Sequence, residues 1–289
     1  MDFPSLKAFV AVAETGSFSA AAERMHLTQP AISKRVASLE NYLGVPLFDR
    51  LGRGIQLTEA GNKFLSSARR ILNDLEVSRE EVHSLAANIS GRLRLATSHH
   101  IGIHRLPPVL KSFTQAHPNV ELDLKFMDSE LACSEVVNGD IELAVVTLPD
   151  KPDERLLTQL VWPDPLSIMC ALDHAFVHQT HGDLTPQTLA EHVAVLPAQG
   201  TVTRNIVLKA LQPFDVPLKT ALETNYLETI KMMVSVGLGW SALPLSMLDK
   251  DVVAIAVPQL HMERQLGSVQ LKGRTLSRAA LAFLRLLES

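Results

Sequence analysis

Apolar residues recur at three- and four-residue steps in the first part of the chain, which predicts a short amphipathic helix over residues 3–14. A second, alanine-rich helix is expected over 18–25. A third helix is expected to begin after Thr28, with Pro30 in its first turn, where no intrahelical N–H bond is lost. One face of the third helix is apolar and can pack on the first two helices; it consists of Ile32, Val36, Leu39 and Leu43.

The third helix also has a polar face, formed by Gln29, Ser33 and Lys34 with Thr28 at its tip. An alanine-rich helix, a short turn and a helix with short polar side chains near its start predict a helix-turn-helix, in which that start reads base edges. The alternative is an ordinary three-helix bundle. The next segment, 47–58, opposes it, because two apolar runs flank a Gly-Arg-Gly tip as in a β-hairpin wing.

A long helix is predicted from Thr58, as its N-cap, to about residue 88. A heptad seam of apolar residues runs along it, broken only at Arg79, which either sets the register or lies at the edge. The seam favours dimerisation, which implies a two-fold symmetric DNA site. Packing within its own subunit is the alternative, for which Phe64, Ile71 and Leu85 are available. The seam consists of Gly61, Leu65, Ala68, Leu72, Leu75, Arg79, Val82, Ala86 and Ile89.

After a hinge at 89–91, strand and helix patterns alternate, which implies a mostly parallel sheet with helices on its faces. The Trp-Pro-Asp-Pro run at 162–165 is expected to interrupt this alternation, and a second set follows. The final helix is expected to return to the first set. Strands are predicted at 93–97, 120–126, 141–146, 166–172, 193–196 and 218–222, and helices at 106–116, 131–138, 185–192, 202–211, 227–236 and 277–287.

Hydroxyl and amide side chains follow several of these strands. In such folds ligands bind beyond the carboxyl ends of the strands, and hydroxyls with backbone N–H groups at helix starts suit an anion. Capping of the helices alone is the alternative for each residue. The residues expected to bind a small anionic metabolite are Thr97, Ser98, His99, Thr147, Gln199, Thr201 and Asn225.

His100 and His104 are one helical turn apart, a spacing that can chelate zinc. Without Asp, Glu or Cys in the motif, ligand contact or solvated histidines are favoured, and no metal or cofactor is predicted. Cys133 and Cys170 form neither a close pair nor a CxxC motif, which predicts two buried thiols.

The bulk composition adds limits rather than a function. A length of 289 residues suits two or three domains, and 46% hydrophobic with 20% charged residues indicates a folded protein. The net charge of −4 gives no hint of nucleic-acid binding, but Arg24, Lys34, Arg35, Arg50 and Arg53 form a local basic excess. The start lacks the form of a signal peptide and no apolar run could span a bilayer, so a cytoplasmic protein is expected.

Four runs in register now carry a resemblance: an alanine-rich second helix, L-T-Q-P-A-I-S, L-E-x-x-L-G-V-P-L-F-x-R and L-T-E-A-G. Together they closely resemble the DNA-binding signature of LysR-type transcriptional regulators. The resemblance implies base-reading or groove-facing positions for Thr28, Gln29, Pro30 and Ser33. It implies backbone or wing contacts for Lys34, Arg50 and Arg53, to which we add Arg35 on the same helix. Lys34 stands where many relatives carry arginine, which favours a phosphate contact.

The resemblance extends over the whole chain, with G-D-I-E-L-A-V-V and V-G-L-G-W-S-A-L-P as its clearest later pieces. It implies an α/β fold class with a winged helix-turn-helix, a long linker helix and a two-lobed effector domain similar to periplasmic binding proteins. The run at 98–102 departs from the commoner family pattern and looks like a subgroup encoded beside leucine-biosynthesis genes. Expected boundaries are 1–58, 59–89 and 90–289, with lobe I at about 92–162 and 265–289 and lobe II at about 163–264.

The partners implied are promoter DNA, a small-molecule effector, a second copy in a dimer or tetramer, and RNA polymerase. Three other classes of protein are the alternatives. An enzyme lacks support because no phosphate-binding glycine loop, G-x-S-x-G or HExxH motif is present. A free solute-binding protein conflicts with the helix-turn-helix. An architectural DNA-binding protein without a ligand would share the N-terminal features and differ only in the cleft.

Overall fold

The computed structural model describes residues 2–51, 54–83, 89–178 and 184–288. Over these residues, a small helical domain with a hairpin is followed by one long helix and then by an α/β region. Its described residues form four sets of buried apolar side chains, two in each of two lobes.

The N-terminal domain has the predicted three helices and hairpin. Asp2 caps the first helix by accepting a hydrogen bond from the Ser5 amide at 2.8 Å, and Gly16 ends it with a positive φ of 64°. Leu6, Phe9 and three of the four predicted apolar residues of the third helix are buried together, and the fourth, Leu43, is partly buried against them. The elements are α1 (Phe3–Thr15), α2 (Phe18–Arg24), α3 (Gln29–Leu43), β1 (Phe48–Leu51) and β2 (Gly54–Leu57).

The linker helix α4 spans Glu59–His83 and begins as predicted, because the Thr58 hydroxyl accepts a hydrogen bond from the Gly61 amide at 2.9 Å. Ala68 is fully buried in the N-terminal core, and Leu65 and Leu72 pack against the same core. The first half of the seam predicted for dimerisation is therefore packed within its own chain. Ala86 of the seam lies outside the described residues, as does Leu85, which was available for packing within the subunit.

The α/β region contains nearly all the predicted helices and strands, together with several that were not predicted. The strands are β3 (Gly91–Thr97), β4 (Val120–Phe126), β5 (Leu143–Thr147), β6 (Leu156–Cys170), β7 (Ala194–Leu196), β8 (Thr220–Glu223), β9 (Ser241–Pro244), β10 (Val253–Ile255) and β11 (Glu263–Leu271). The helices are α5 (His99–His104), α6 (Leu106–Ala116), α7 (Ser129–Asn138), α8 (Pro186–Leu189), α9 (Val202–Leu211), α10 (Leu227–Ser235) and α11 (Arg278–Leu287).

The main sheet has the order β10-β6-β11-β5-β3-β4, with β9 also paired to β6. Strand β3 is parallel to both β4 and β5, and β7 is parallel to β8 in a separate pair, as the alternation of strands and helices predicts. The two longest strands, β6 and β11, are antiparallel to each other and to their other neighbours. The expectation of a mostly parallel sheet is therefore wrong for the middle of the sheet.

The predicted interruption at the Trp-Pro-Asp-Pro run is also wrong, because β6 continues through it. Pro163 and Pro165 are two residues apart, so their missing N–H groups fall on the same edge of the strand. Pairing of β6 with β11 ends at Pro165 and Glu263, and from Leu166 onward β6 pairs with β9 instead. The run therefore marks the point where the strand changes partner.

The strands β6 and β11 connect the two lobes. Leu156 at the start of β6 is buried in the first lobe, whereas Ile168 near its end belongs to the second core. The final helix α11 packs on α6 in the first lobe, as expected, with the Phe113 and Phe283 rings 5.2 Å apart. The space between the lobes lies beside the ends of β3 and β5.

Candidate nucleic-acid interface and effector cleft

The N-terminal end of α3 presents polar side chains to solvent. Thr28 occupies the N-cap position, but among the described residues its hydroxyl makes no capping hydrogen bond, so it is available to another partner. Ser33 and Arg35 are half-buried, and four of the predicted DNA contacts are exposed: Thr28, Gln29, Pro30 and Lys34.

The hairpin is held at the end of α3 by a residue that the sequence analysis did not single out. The Glu40 carboxylate accepts hydrogen bonds from the amides of Leu47, at 2.7 Å, and Phe48, at 3.2 Å. This contact fixes the hairpin relative to the exposed end of α3. Arg50 lies in β1 opposite Ile55, and Arg53 lies outside the described residues.

Five of the residues predicted to bind an effector line one cavity between the lobes. Ser98 and His99 follow β3, Thr147 ends β5, Thr201 caps α9 and Asn225 precedes α10. The cavity has a volume of about 50 Å³, which holds only a few water molecules. The two lobes are therefore closed on each other around it.

Two predicted residues are not presented to this cavity. Thr97 is fully buried, and its hydroxyl donates to the Val145 carbonyl oxygen at 2.8 Å inside the sheet. Gln199 is exposed on the loop before α9 and is absent from the described cavity wall. His99 packs between an aromatic ring of each lobe, 5.3 Å from Phe126 and 4.6 Å from Tyr226 between ring centroids.

Two carboxylates also line the cavity, and both bridge the lobes. The Glu130 carboxylate accepts a hydrogen bond from the Val202 amide at 2.8 Å, at the first turn of α9. The Asp128 carboxylate accepts one from the Asn225 side-chain amide at 2.7 Å. Helix N-termini attract anions, so Glu130 fills a position that an anionic ligand would otherwise favour.

A buried arginine in the cavity wall was missed by the sequence analysis. Arg264, with 3% of its side chain exposed, forms an ion pair with Asp164, which is 1% exposed. Its Nε donates to Asp164 Oδ2 at 3.0 Å, and its Nη1 donates to the Thr203 hydroxyl at 3.3 Å. Arg105 also approaches Asp164, at 3.2 Å. No local signal identified Arg264, because β11 itself was not predicted.

The side chains of His100, His104 and Glu228 form a group that could hold a metal ion. Their donor atoms all lie within 4.8 Å of one another. Within the described part of the chain, no other group of three or more histidine, cysteine, aspartate or glutamate side chains meets this condition. His100 and His104 lie on α5 in the first lobe, whereas Glu228 lies on α10 in the second.

The fold and these sites can be compared with known proteins. Residues 3–62 match the bacterial regulatory helix-turn-helix protein of the lysR family, and residues 86–289 match the LysR substrate binding domain. The pair defines a transcriptional regulator with a DNA-binding and an effector-binding domain. The chain belongs to the LysR family, which confirms the resemblance found in the sequence.

Individual relatives support this assignment. YybE of Bacillus subtilis (strain 168), described as an uncharacterized HTH-type transcriptional regulator, is 30% identical over 98% of this chain and 97% of its own length. A regulator in the ibpB-leuC intergenic region of Azotobacter vinelandii is 65% identical over 108 residues, which are 37% of this chain and 75% of that protein. The relatives are described as regulators and not as enzymes.

Solved structures share the fold over nearly the whole chain. A full-length OxyR variant from Pseudomonas aeruginosa has a TM-score of 0.80 at 23% identity, covering 99% of this chain and 94% of that one. Full-length CbnR complexed with its target DNA has a TM-score of 0.67 at 22% identity, covering 99% of each chain. Over the residues that the structure describes, no helix is both long and apolar enough to cross a bilayer.

Proposed function

We propose that this regulator binds promoter DNA sequence-specifically through the start of α3, and that a small anionic metabolite bound between its lobes controls that binding. The observation that carries the proposal is the combination of an exposed polar helix start with a polar cavity between two lobes. Base reading from the start of a recognition helix supports the first part.

For the DNA interface, we assign base or groove contacts to the polar end of α3 and phosphate contacts to its basic residues and the hairpin. A base contact and a phosphate contact differ in their consequences, because only the first carries sequence information. Gln29→Ala should relax specificity, whereas Lys34→Ala should weaken binding to all sequences and lower the salt dependence. The base or groove set is Thr28, Gln29, Pro30 and Ser33, and the basic set is Lys34, Arg35, Arg50 and Arg53.

For the effector, the hydroxyls and amide of Ser98, Thr147, Thr201 and Asn225 are proposed to bind the ligand, with His99 beside them. An anionic ligand would displace Glu130 from the start of α9 and thereby break a hydrogen bond that joins the two lobes. Thr97 and Gln199 are proposed to support the site without contacting the ligand directly. The Thr97 hydroxyl is hydrogen-bonded inside the sheet, and the Gln199 side chain is exposed.

The effector assignment is tested by calorimetry on the full-length protein. A panel of organic acids that includes branched-chain biosynthetic intermediates supplies the ligands, and the location of the Azotobacter vinelandii relative supports that choice. The ligand found should bind Ser98→Ala and Thr201→Ala at least about tenfold more weakly. Thr114→Ala, at an exposed hydroxyl residue outside the cavity wall, serves as a matched control. Unchanged binding in both variants would remove the assignment.

Self-association and control of transcription are part of the proposal. A dimer or tetramer would present two copies of α3 to a symmetric site, next to which RNA polymerase binds. Because Leu65, Ala68 and Leu72 pack within the chain, the interface is expected to use the later part of α4. Sedimentation of the full-length protein checks the assembly. Identical DNA footprints with and without effector would contradict control by the ligand.

A second candidate is a DNA-binding protein whose cleft takes no ligand. The small cavity of about 50 Å³ and the carboxylate of Glu130 already seated on α9 favour it. A thermal-shift screen distinguishes the two, because a ligand that binds the folded protein raises its melting temperature. A complete absence of stabilising metabolites would favour the second candidate.

A further inference from the structure

A pair of histidines from one lobe faces a glutamate from the other. His100 and His104 are four residues apart on α5 and therefore point to the same side of the helix. Glu228, in the first turn of α10, lies across from them. Its Oε1 is 3.2 Å from His104 Nε2 and 3.5 Å from His100 Nδ1. The sequence motif lacked an acidic partner because that partner is 124 residues further along the chain.

The burial and the unpaired ring nitrogens of His100 suit a metal ligand. His100 is 3% exposed, and neither ring nitrogen makes a hydrogen bond among the described residues. Buried polar atoms without partners are rare in folded proteins and call for an explanation.

The distances match those expected around a tetrahedral ion. Zn²⁺ binds histidine nitrogen and carboxylate oxygen at about 2.0–2.2 Å, so neighbouring ligand atoms lie about 3.4 Å apart. The two contacts of Glu228, at 3.2 and 3.5 Å, are close to this value. The ligand atoms of all three residues lie within 4.8 Å of one another, and the two histidine rings are 4.7 Å apart between centroids.

The surroundings leave room for a fourth ligand. His104 and Glu228 also line a groove of about 480 Å³, from which a water molecule can reach the group. Two nearby cations oppose a metal, but both are already paired: Arg264 with Asp164, and Lys231 with Asp249. Two imidazoles and one carboxylate with an open position are the donor set that zinc takes in proteins.

We propose that His100, His104 and Glu228 bind a Zn²⁺ ion that links the two lobes. The ion would fix α5 of the first lobe to α10 of the second and hold the cleft closed. His100 also lines the cavity between the lobes, so zinc and the cavity ligand would affect each other's binding. That last consequence rests on the proposed effector function, whereas the metal site itself does not.

The test is titration of tag-free, chelator-treated full-length protein with zinc chloride in a calorimeter. The wild type should bind one ion per chain, and His104→Gln and Glu228→Gln should each weaken binding at least about tenfold. His261→Gln, at an exposed histidine, is the matched control and should bind as the wild type does. Urea unfolding in chelator should show that all variants remain folded.

Cobalt provides an independent spectroscopic readout. The Co²⁺-loaded wild type should show the intense visible absorption of a four-coordinate site, and both ligand variants should lose it. A wild type that binds no zinc, variants that bind zinc as the wild type does, or a cobalt spectrum without these bands would each overturn the proposal. DNA and effector are absent from these experiments, so their outcome is independent of the proposed regulatory function.

Discussion

The buried ion pair between the lobes provides a strong test of how this effector domain is held together. Asp164 is 1% exposed and accepts hydrogen bonds from Arg264, which is 3% exposed, and from Arg105. The substitution Asp164→Asn keeps the shape of the side chain but removes its charge. Arg264 would then remain buried without a counter-charge.

The expected cost follows from the burial of both groups. Breaking a buried ion pair by neutralising one partner costs about 3–5 kcal/mol, because the remaining charge stays desolvated. An exposed pair costs at most about 1 kcal/mol. Lys209 and Asp150 form such a pair, with a 3.3 Å contact and side chains that are 75% and 65% exposed. Asp150→Asn is therefore a matched control with the same chemistry.

Urea denaturation followed by tryptophan fluorescence measures this cost. Both tryptophans, Trp162 and Trp240, lie in the α/β region, so the signal reports on the effector domain and not on the helix-turn-helix. The free energy of unfolding should fall by about 3–5 kcal/mol in Asp164→Asn and by less than about 1 kcal/mol in Asp150→Asn.

A double variant separates the lost pair from general damage. Replacing both members of a buried pair with uncharged side chains is often neutral, so adding Arg264→Met to Asp164→Asn should recover part of the lost stability. Equal destabilisation by Asp164→Asn and Asp150→Asn, or a double variant less stable than Asp164→Asn alone, would refute the reasoning.

Two further predictions concern packing and thiol chemistry. A methyl group on Gly61 would lie 2.1 Å from the Leu47 carbonyl oxygen, so Gly61→Ala should lower the unfolding free energy measured by circular dichroism by about 2 kcal/mol. Alanine at an unobstructed helix position would stabilise, and the neighbouring exposed Asn62→Ala should change little; equal effects of the two would contradict the close approach. Burial raises the pKa of both Cys133 and Cys170 to about 11, so at pH 8 their reaction with a disulfide reagent should be at least about a hundredfold slower in native protein than in urea. Reaction of the native protein at the rate of a free thiol would show that these pKa values are not raised.

The spacing of apolar residues predicted those helices and strands whose bounds depend on their own sequence and not on distant contacts. The helix α6 and the strand β4 have the predicted bounds, because each shows a clear apolar period between turn residues. The three helices and the hairpin of the N-terminal domain were equally accessible. Four signature runs in register also identify the family from the sequence alone.

Long-range pairing was beyond the reach of local patterns. Arg264 and Asp164 are 100 residues apart, and β11, which carries Arg264, pairs with two strands at once. The two prolines in β6 predicted an interruption of the strand, although the strand continues and only changes its pairing partner there. His100 and His104 were recognised as a spacing for zinc, but Glu228 is brought to them only by the closure of the lobes.

The central claim, that the start of α3 reads DNA sequence, is tested most directly by selecting bound sites from random duplex DNA. The wild type should recover a two-fold symmetric motif. Gln29→Ala and Ser33→Ala should lose preference within that motif while keeping salt-sensitive binding to unrelated DNA. Recovery of no motif by the wild type, or of the same motif with equal enrichment by both variants, would contradict the claim.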